Sequence, residues 1–136
     1  MRFMVIVKAT KDSEAGIMPA TEEFAAMVRF NEGLCNAGMM EVGEGLHPTV
    51  KGARINFSQG EARVARGPFD LTRDLAAGFW MIKAGSLDEV IQHMKRAPFP
   101  SGEIEIRQVF AAEDFADGPP ELRQLEELLR ARAAKS

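Results

Sequence analysis

Two stretches of the chain carry large apolar side chains on both sides of an extended backbone, and this pattern limits the possible folds more than any other feature. Residues 2–9 and 78–84 are rich in β-branched and aromatic residues and predict two strands. Their apolar members are Phe3, Met4, Val5, Ile6 and Val7 in the first stretch and Phe79, Trp80, Met81 and Ile82 in the second. Because successive side chains of a strand point to opposite faces, a sheet built on these strands is apolar on both faces.

The order of the predicted elements provides a cover for one of those faces. Further strands are predicted at residues 39–46 and 104–110, helices at 21–38 and 86–96, and a hairpin at 53–57 and 61–66 around Ser58-Gln59-Gly60. Without the hairpin the order is strand, helix, strand, strand, helix, strand. That order predicts an α+β fold of ferredoxin-like βαββαβ topology, in which both helices pack on one face of the sheet.

The second apolar face has no predicted helix to cover it. Soluble monomers rarely expose a large apolar patch, so a second subunit is the economical cover, and two sheets packed face to face predict a homodimeric α+β barrel. The alternative is that a C-terminal helix folds back over its own sheet with its stripe of leucines. We place the ferredoxin-like domain at residues 1–112 and a helical extension at 113–136. The leucines of that stripe are Leu122, Leu125, Leu128 and Leu129.

Composition and charge exclude several classes of partner. The formal net charge of -3 argues against nucleic acid and anionic membranes as partners. The apolar run from Phe3 to Val7 is too short to cross a bilayer, and the single cysteine, Cys35, fits a reducing compartment. We therefore predict a cytoplasmic protein. Neither a metal nor a nucleotide cofactor is predicted, because no cluster with zinc-ligand spacing, GxGxxG sequence or P-loop is present.

The most distinctive motif lies just before the strand at residues 78–84. It reads Arg66-Gly67-Pro68-Phe69-Asp70-Leu71-Thr72-Arg73-Asp74 and is followed by Gly78-Phe79-Trp80. This segment resembles the YCII-related proteins of the DGPF type, whose signature is Asp-Gly-Pro-Phe-x-Glu-Thr-Lys-Glu before a Gly-aromatic strand. The likeness extends over residues 2–110. It implies a ferredoxin-like dimeric barrel and a cleft that serves as the active site of a small-molecule enzyme, and it implies no particular reaction.

The chain departs from that signature at its first position, where Arg66 replaces the acidic residue. A guanidinium stays protonated at physiological pH, so Arg66 cannot shuttle protons, but it is suited to hold a carboxylate or phosphate. Strand alternation places Arg66 on the side of Ala62 and Val64, which predicts that it faces the core or the cleft. The alternative is an ion pair of Arg66 with Asp70 or Asp74 that only fixes the loop, with Gly67-Pro68 as a simple turn.

The candidate catalytic residues are His47, Asp70 and Asp74. His47 is the best candidate for proton transfer, because an imidazole titrates near ~6.5 and lies here at the end of a predicted strand. The alternative is a surface histidine that precedes Pro48.

The candidate ligand-binding residues divide into cations and groups that form the walls of a pocket. Asn31 interrupts the apolar face of the first helix, so it either lines a pocket or is satisfied internally. In the wider YCII group a histidine in this part of the helix belongs to the cleft, which implies a pocket-lining position here. Trp80, Phe57 and Phe69 either form the wall of a small apolar pocket or belong to the core. The full set is Asn31, Arg54, Arg66, Gly67, Pro68, Phe69, Arg73 and Trp80.

Two hypotheses of function follow from these residues. In the first, the protein is a small-molecule enzyme in which His47 transfers a proton and Arg54, Arg66 or Arg73 holds an anionic group of the substrate. In the second, it is a non-catalytic ligand-binding or regulatory module that keeps the cleft and has lost the acidic residue of the signature. In both, the partners are a second copy of the chain and a small anionic molecule.

Overall fold

The computed structural model of the protein describes residues 1–115 and 118–135. Residues 116, 117 and 136 of the predicted C-terminal extension lie outside the described residues. The elements in chain order are β1 (Arg2–Lys8), α1 (Lys11–Glu14), α2 (Thr21–Asn36), β2 (Met40–Gly45), β3 (Ala53–Ser58), β4 (Glu61–Arg66), β5 (Ala76–Lys83), α3 (Leu87–Met94), β6 (Ile104–Gln108) and α4 (Pro120–Lys135). Two 3₁₀ turns, Thr49–Lys51 and Ala112–Phe115, lie between them.

The central sheet has four strands in the spatial order β2-β5-β1-β6, and every neighbouring pair is antiparallel. With the hairpin β3–β4 set aside, this is the order second, third, first, fourth. It confirms the predicted ferredoxin-like topology, with β1 and β5 as the central pair. Whether two such sheets pair into a barrel stays a prediction at this point, as does the division of the chain at residue 112.

The register of β1 with β5 decides which side chains share a face. Val5 lies opposite Trp80, and Phe3 lies opposite Ile82, so these four point to one side. Both long helices that pack on the sheet cover this side, which we call the covered face. Its buried cluster consists of Phe3, Val5, Leu34, Met39, Trp80, Ile82, Val90 and Met94.

The other side of the same strands carries Met4 opposite Met81 and Ile6 opposite Phe79. Val42 of the edge strand β2 also lies opposite Met81 and is 38% exposed. These five residues form what we call the open face. Charged pairs surround it, with Arg2 bound to Glu41 beyond one end and Lys8 bound to Asp74 and Glu105 at the other.

The hairpin β3–β4 is confirmed and turns at Gln59 and Gly60, both of which have positive φ, as a two-residue hairpin turn requires. One of its faces is apolar and open to water, with Phe57 80% and Val64 62% exposed. Arg66 ends this face and is also exposed. Arg66 therefore does not face the core of the single chain, because strand alternation fixes which side chains share a face and does not fix what packs on that face. A position of Arg66 in a cleft stays a prediction.

The C-terminal helix α4 packs against the 3₁₀ turn Ala112–Phe115. Its leucines remain in contact with water, and Leu128 is 63% exposed. The alternative in which this leucine stripe folds back over its own sheet is therefore not observed in the described part of the chain.

Candidate functional site

A cavity of about 210 Å³ lies on the covered face, between α2 and the end of the sheet where β2 ends and β5 begins. The strands contribute residues 43–45 and 77–80 to its walls, and α2 contributes Met27 and Asn31. Val7 of β1 and Phe99, which follows α3, complete the lining. Most of these groups are apolar, so the cavity offers shape and few polar contacts.

Glycines make room for this cavity. Gly43 lies opposite Trp80 and Gly45 lies opposite Gly78, so all three glycines belong to the covered face. A Cβ at Gly43 would lie 2.9 Å from Cδ1 of Trp80, and a Cβ at Gly78 would lie 2.8 Å from the carbonyl oxygen of Glu44. A Cβ at Gly45 would meet nothing within 4 Å, because it would point into open space. Sequence reasoning missed this floor, although glycines at positions i and i+2 of one strand were a usable signal.

Trp80 forms a wall of the cavity that two aromatic contacts hold in place. Its ring makes edge contacts with Phe30 at 6.0 Å and with Phe99 at 6.1 Å between centroids, and only 5% of the residue is exposed. Its indole Nε1–H donates a hydrogen bond of 2.9 Å to Oδ1 of Asn31. Asn31 thus lines the cavity and is also bonded internally, by an indole side chain rather than by backbone groups.

A second group of predicted residues lies around Phe69. The guanidinium carbons of Arg54 and Arg73 lie 4.8 Å and 5.9 Å from the centroid of the Phe69 ring, a cation–π arrangement. Arg54 also donates from Nη2 to the backbone carbonyl of Asp74 at 3.0 Å. Within the described residues neither arginine forms a salt bridge with a carboxylate. We call Arg54, Phe69 and Arg73 the Phe69 cluster.

The turn that precedes Phe69 is packed tightly against the 3₁₀ turn Thr49–Lys51. The Gly67–Pro68 peptide is cis, and the backbone N–H of Phe69 donates to Oγ1 of Thr49 at 2.9 Å. Thr49 in turn donates from its backbone N–H and its hydroxyl to the carboxylate of Glu14. A Cβ at Gly67 would overlap the carbonyl oxygen of Thr49, so only glycine fits there. This part of the motif therefore positions Phe69 by packing.

The two aspartates of the motif are both engaged in local structure. Oδ1 of Asp70 accepts a hydrogen bond of 3.0 Å from the backbone N–H of Thr72, as in an Asx turn. Asp74 pairs with Nζ of Lys8 at 2.9 Å. The alternative ion pair of Arg66 with Asp70 or Asp74 is therefore not formed, and Arg66 has no side-chain partner among residues 1–115 and 118–135.

Lys8 connects Asp74 to the last strand of the sheet. Its Nζ also lies 3.3 Å from Oε1 of Glu105. The hydrogen bond that Lys8 donates to Asp74 raises the pKa of Lys8, and the bond to Glu105 adds to this while desolvation opposes it. The pKa of Glu105 is lowered, first by the hydrogen bond from Arg107 and then by the bond from Lys8. These four residues form a charged network at the end of the open face.

His47 is exposed and lies two residues beyond Gly45. The backbone N–H of Leu46 donates to the carbonyl of Ala77 at 2.9 Å, which fixes the chain just before His47 to the cavity wall. The imidazole of His47 has no hydrogen-bond or ion-pair partner in the part of the chain that the structure describes.

Residues 1–115 and 118–135 contain neither a metal-ligand cluster nor a membrane-spanning helix. No group of three or more His, Cys, Asp or Glu side chains in these residues is arranged to hold a metal ion. None of the helices formed by them is long and apolar enough to cross a membrane.

Comparisons with known proteins give a family, a similar protein and a similar solved structure. The YCII-related domain matches residues 1–116. A protein of Rhizobium meliloti (strain 1021), described as uncharacterized, is 35% identical to this chain over 65 residues. The matched residues are 46% of this chain and 52% of that protein, so this chain spans about half the length of that relative. The solved structure of 5-chloro-2-hydroxyhydroquinone dehydrochlorinase from Burkholderia phenoliruptrix AC1100, in complex with 2,5-dihydroxybenzoquinone, is 18% identical with a TM-score of 0.48, covering 84% of this chain and 98% of that one.

Proposed function

This chain belongs to the YCII-related domain family, and from that premise we propose that it binds a small organic molecule in the cavity beneath α2. The observation that carries the proposal is the floor of three glycines, Gly43, Gly45 and Gly78, which leaves space beside the indole of Trp80. Ligand pockets are typically apolar with a few polar groups that fix orientation, and they usually hold ~300–1,000 Å³. A volume of about 210 Å³ therefore suits a ligand body of about one ring.

The ligand carries an anionic group, and the Phe69 cluster supports this part of the proposal. Arg54 and Arg73 share one aromatic ring, and guanidinium groups stay charged at any physiological pH. Two cations held together without a carboxylate between them attract an anion. Arg54 is bonded to the carbonyl of Asp74, and Ala77 of the cavity wall is only three residues further on. Three residues of extended chain span at most about 11 Å. A ligand whose ring lies in the cavity can therefore reach the Phe69 cluster with an anionic group on a short tether.

The second candidate function is catalysis by proton transfer from or to His47. It is favoured by the bond between Leu46 and Ala77, which holds the backbone next to His47 against the cavity wall. Asp70 and Asp74 are engaged in a turn and an ion pair, so His47 is the remaining candidate for this role. An anionic substrate held by the Phe69 cluster is then protonated or deprotonated at the mouth of the cavity.

The working form in this proposal is a cytoplasmic homodimer. The open face supports a dimer, since its apolar centre is covered by neither α2 nor α3 and is bordered by charged pairs. The apolar face of the hairpin, with Ile55, Phe57 and Val64 exposed, adds further surface for a second copy. The single cysteine supports the location, because Cys35 is exposed and is reduced in the cytoplasm.

Fluorescence of Trp80, the only tryptophan of the chain, tests the binding proposal directly. We expect 3-phenylpropionate to quench it and the neutral 3-phenylpropanol to bind more weakly. The variant Gly45→Leu fills the cavity and lowers affinity for 3-phenylpropionate at least tenfold. Gly33→Leu is the matched control, because a Cβ at Gly33 also meets nothing within 4 Å but Gly33 does not line the cavity. Equal affinity in wild type and Gly45→Leu contradicts the proposed site.

The anion part of the proposal has its own test. In the double variant Arg54→Ala, Arg73→Ala we expect 3-phenylpropionate to lose its advantage over 3-phenylpropanol. Arg63→Ala is the control, since Arg63 is an exposed arginine of β4 whose one ion pair with residues 1–115 and 118–135 is the local one with Glu61. An unchanged preference in the double variant removes the Phe69 cluster from the site.

Catalysis by His47 is tested with two reactions that fit a proton-transfer residue. These are hydrolysis of mono-4-nitrophenyl succinate and exchange, in D₂O and followed by NMR, of the protons next to the ketone of 3-benzoylpropionate, and both substrates carry a carboxylate for the Phe69 cluster. A general acid or base contributes about 10²–10⁴-fold to a rate, so His47→Ala loses at least two orders of magnitude while quenching by 3-phenylpropionate persists. If the wild-type protein binds 3-phenylpropionate but accelerates neither reaction, the result favours the non-catalytic module.

A further inference from the structure

The hydrogen bond between Trp80 and Asn31 fixes the polarity of the cavity. An indole Nε1–H can donate and cannot accept, so the atom of Asn31 that faces it must be the carbonyl oxygen. The NH₂ group of the same amide then points away from the indole. A flip of this amide would place its N–H groups against the indole N–H, and two donors that face each other lose the bond.

Trp80 itself has little freedom to relieve such a conflict. Phe30 and Phe99 make edge contacts with its ring at 6.0 Å and 6.1 Å, and the residue is 5% exposed. Its indole N–H therefore keeps one direction, and the amide of Asn31 keeps one orientation. The carbonyl oxygen of Asn31 is therefore held against the indole, with one of its two lone pairs in use, and the NH₂ donors are the part of the amide turned away from Trp80.

The two N–H groups of Asn31 are unused by the protein. Nδ2 has no hydrogen-bond partner among residues 1–115 and 118–135. Asn31 is half-buried, yet no buried side-chain nitrogen or oxygen of the described residues lacks a partner. Nδ2 is therefore accessible from outside the protein, at a residue that lines the cavity.

We propose that Asn31 is a specificity-determining residue that selects ligands with a hydrogen-bond acceptor, such as a carbonyl or phenolate oxygen, at the Trp80 wall of the cavity. The inference rests on the proposed binding in this cavity and names the class of ligand that it takes. A ligand with an acceptor satisfies Nδ2, whereas a ligand with a donor at that point meets another donor. One net hydrogen bond is worth about 1 kcal/mol, which corresponds to a factor of about five in affinity.

The test uses two probes of the same shape, acetophenone and α-methylstyrene, in which a C=CH₂ group replaces the C=O group. Quenching of Trp80 reports binding of both to the wild-type protein. We expect acetophenone to bind about fivefold more tightly, the factor of one hydrogen bond. Equal affinities overturn the inference and leave cavity binding intact. If 3-phenylpropionate quenches Trp80 and neither probe does, the inference fails and cavity binding stands; if none of the three quenches Trp80, both fail.

The variant Asn31→Asp reverses the polarity and keeps the bond to Trp80, because a carboxylate accepts from the indole N–H and presents a second acceptor to the cavity. Measured at pH 8, far above the ordinary aspartate pKa of ~3.9, it loses the preference for acetophenone and gains affinity for the cationic donor benzamidine. A preference for acetophenone that persists in Asn31→Asp overturns the inference. If this variant does not fold, the relative affinity of the wild-type protein for acetophenone and α-methylstyrene tests the inference alone.

Asn31 also borders an open depression on the outer side of α2, with Val28 and Cys35. The variant Gly45→Leu distinguishes the two places, since it fills the cavity and leaves that depression unchanged. We expect the preference for acetophenone to disappear in Gly45→Leu. A preference that survives there assigns Nδ2 to the outer depression and contradicts the inference.

Discussion

The two faces of the central sheet are made by the same strands and end in different environments. On the covered face Ile82 is completely buried beneath the helices. On the open face Ile6 is half-buried, and Val42 at the edge is 38% exposed. The covered face also contains the glycine-floored cavity, whereas the open face has an apolar centre with charged pairs beyond its ends.

The difference shows that the alternation of apolar side chains along β1 and β5 serves both the stability of one subunit and the proposed contact with a second. Apolar side chains on the covered face stabilise the single subunit, because the helices exclude water from them. Met81 at the centre of the open face is already 9% exposed in the single chain, whereas the half-buried Ile6 and the exposed Val42 gain further stability only from something that covers them. The charged pairs at the border fit a face that meets a second copy, since charged residues are depleted at the core of interfaces and occur at the rim.

A matched pair of truncations measures this difference and has the largest expected effect. Ile82→Ala removes a fully buried side chain and lowers the free energy of unfolding by about 2–5 kcal/mol. Ile6→Ala lowers it by less in dilute solution. Urea unfolding at several protein concentrations checks both values. If the loss for Ile6→Ala grows with protein concentration, a second subunit covers the open face. If Ile82→Ala and Ile6→Ala lower the free energy of unfolding equally at every protein concentration, the distinction between the faces is contradicted.

Val42→Lys places a charge within the open face and tests the dimer. A lysine that must be desolvated between two sheets weakens association by at least a factor of a hundred, since an uncompensated buried charge costs about 3–5 kcal/mol. Sedimentation equilibrium should show the 15.0 kDa single chain for this variant. Val50→Lys is the control, because Val50 is 60% exposed in the turn Thr49–Lys51 and does not belong to the open face. A wild-type protein that is monomeric at micromolar concentration removes the dimer proposal.

Much of the fold was predictable from the sequence, since alternation in residues 2–9 and 78–84 and the order of elements were enough to give the topology. The site was less predictable because it depends on register. Gly78 belongs to the cavity floor only because β5 pairs with β2 so that it faces Gly45. Asn31 and Trp80 meet across 49 positions of the chain, which no local pattern encodes. Arg66 does not reach the core, because its strand belongs to a hairpin whose apolar face is uncovered in the single chain.

Adding a methyl group to the covered face tests the glycine floor, with an intermediate effect. In Gly43→Ala the new Cβ lies 2.7 Å from Cε of Met40 and 2.9 Å from Cδ1 of Trp80, so at least the indole must shift. Overpacking of this kind lowers stability by about 1–3 kcal/mol. Gly45→Ala, whose Cβ meets no atom within 4 Å, changes stability little. Thermal unfolding and the emission maximum of Trp80 report both effects. Equal destabilisation by the two variants contradicts the geometry of the floor.

The smallest expected effect comes from the charged network at the end of the open face. The pKa of Glu105 in the folded protein is lowered from its ordinary value of 4.5. The ionised carboxylate therefore stabilises the fold at neutral pH. This stabilisation is lost as the pH falls below 4.5 and through the folded-state pKa. The pKa of Lys8 is raised from 10.5, so its contribution is complete below 10.5 and is lost only as the pH rises above that value. Between these limits both groups act together, and exposed pairs of this kind are weakened by salt.

Glu105→Gln therefore destabilises the protein slightly at pH 7, and the difference from wild type shrinks at pH 3 and in 0.5 M salt. Glu103→Gln is the control, because Glu103 lies just before β6 and forms none of the recorded salt bridges of the described residues. Urea unfolding of the three proteins at both pH values checks the sign. A loss in Glu105→Gln that is larger at pH 3 than at pH 7 contradicts the network, since a protonated Glu105 has no charge left to lose.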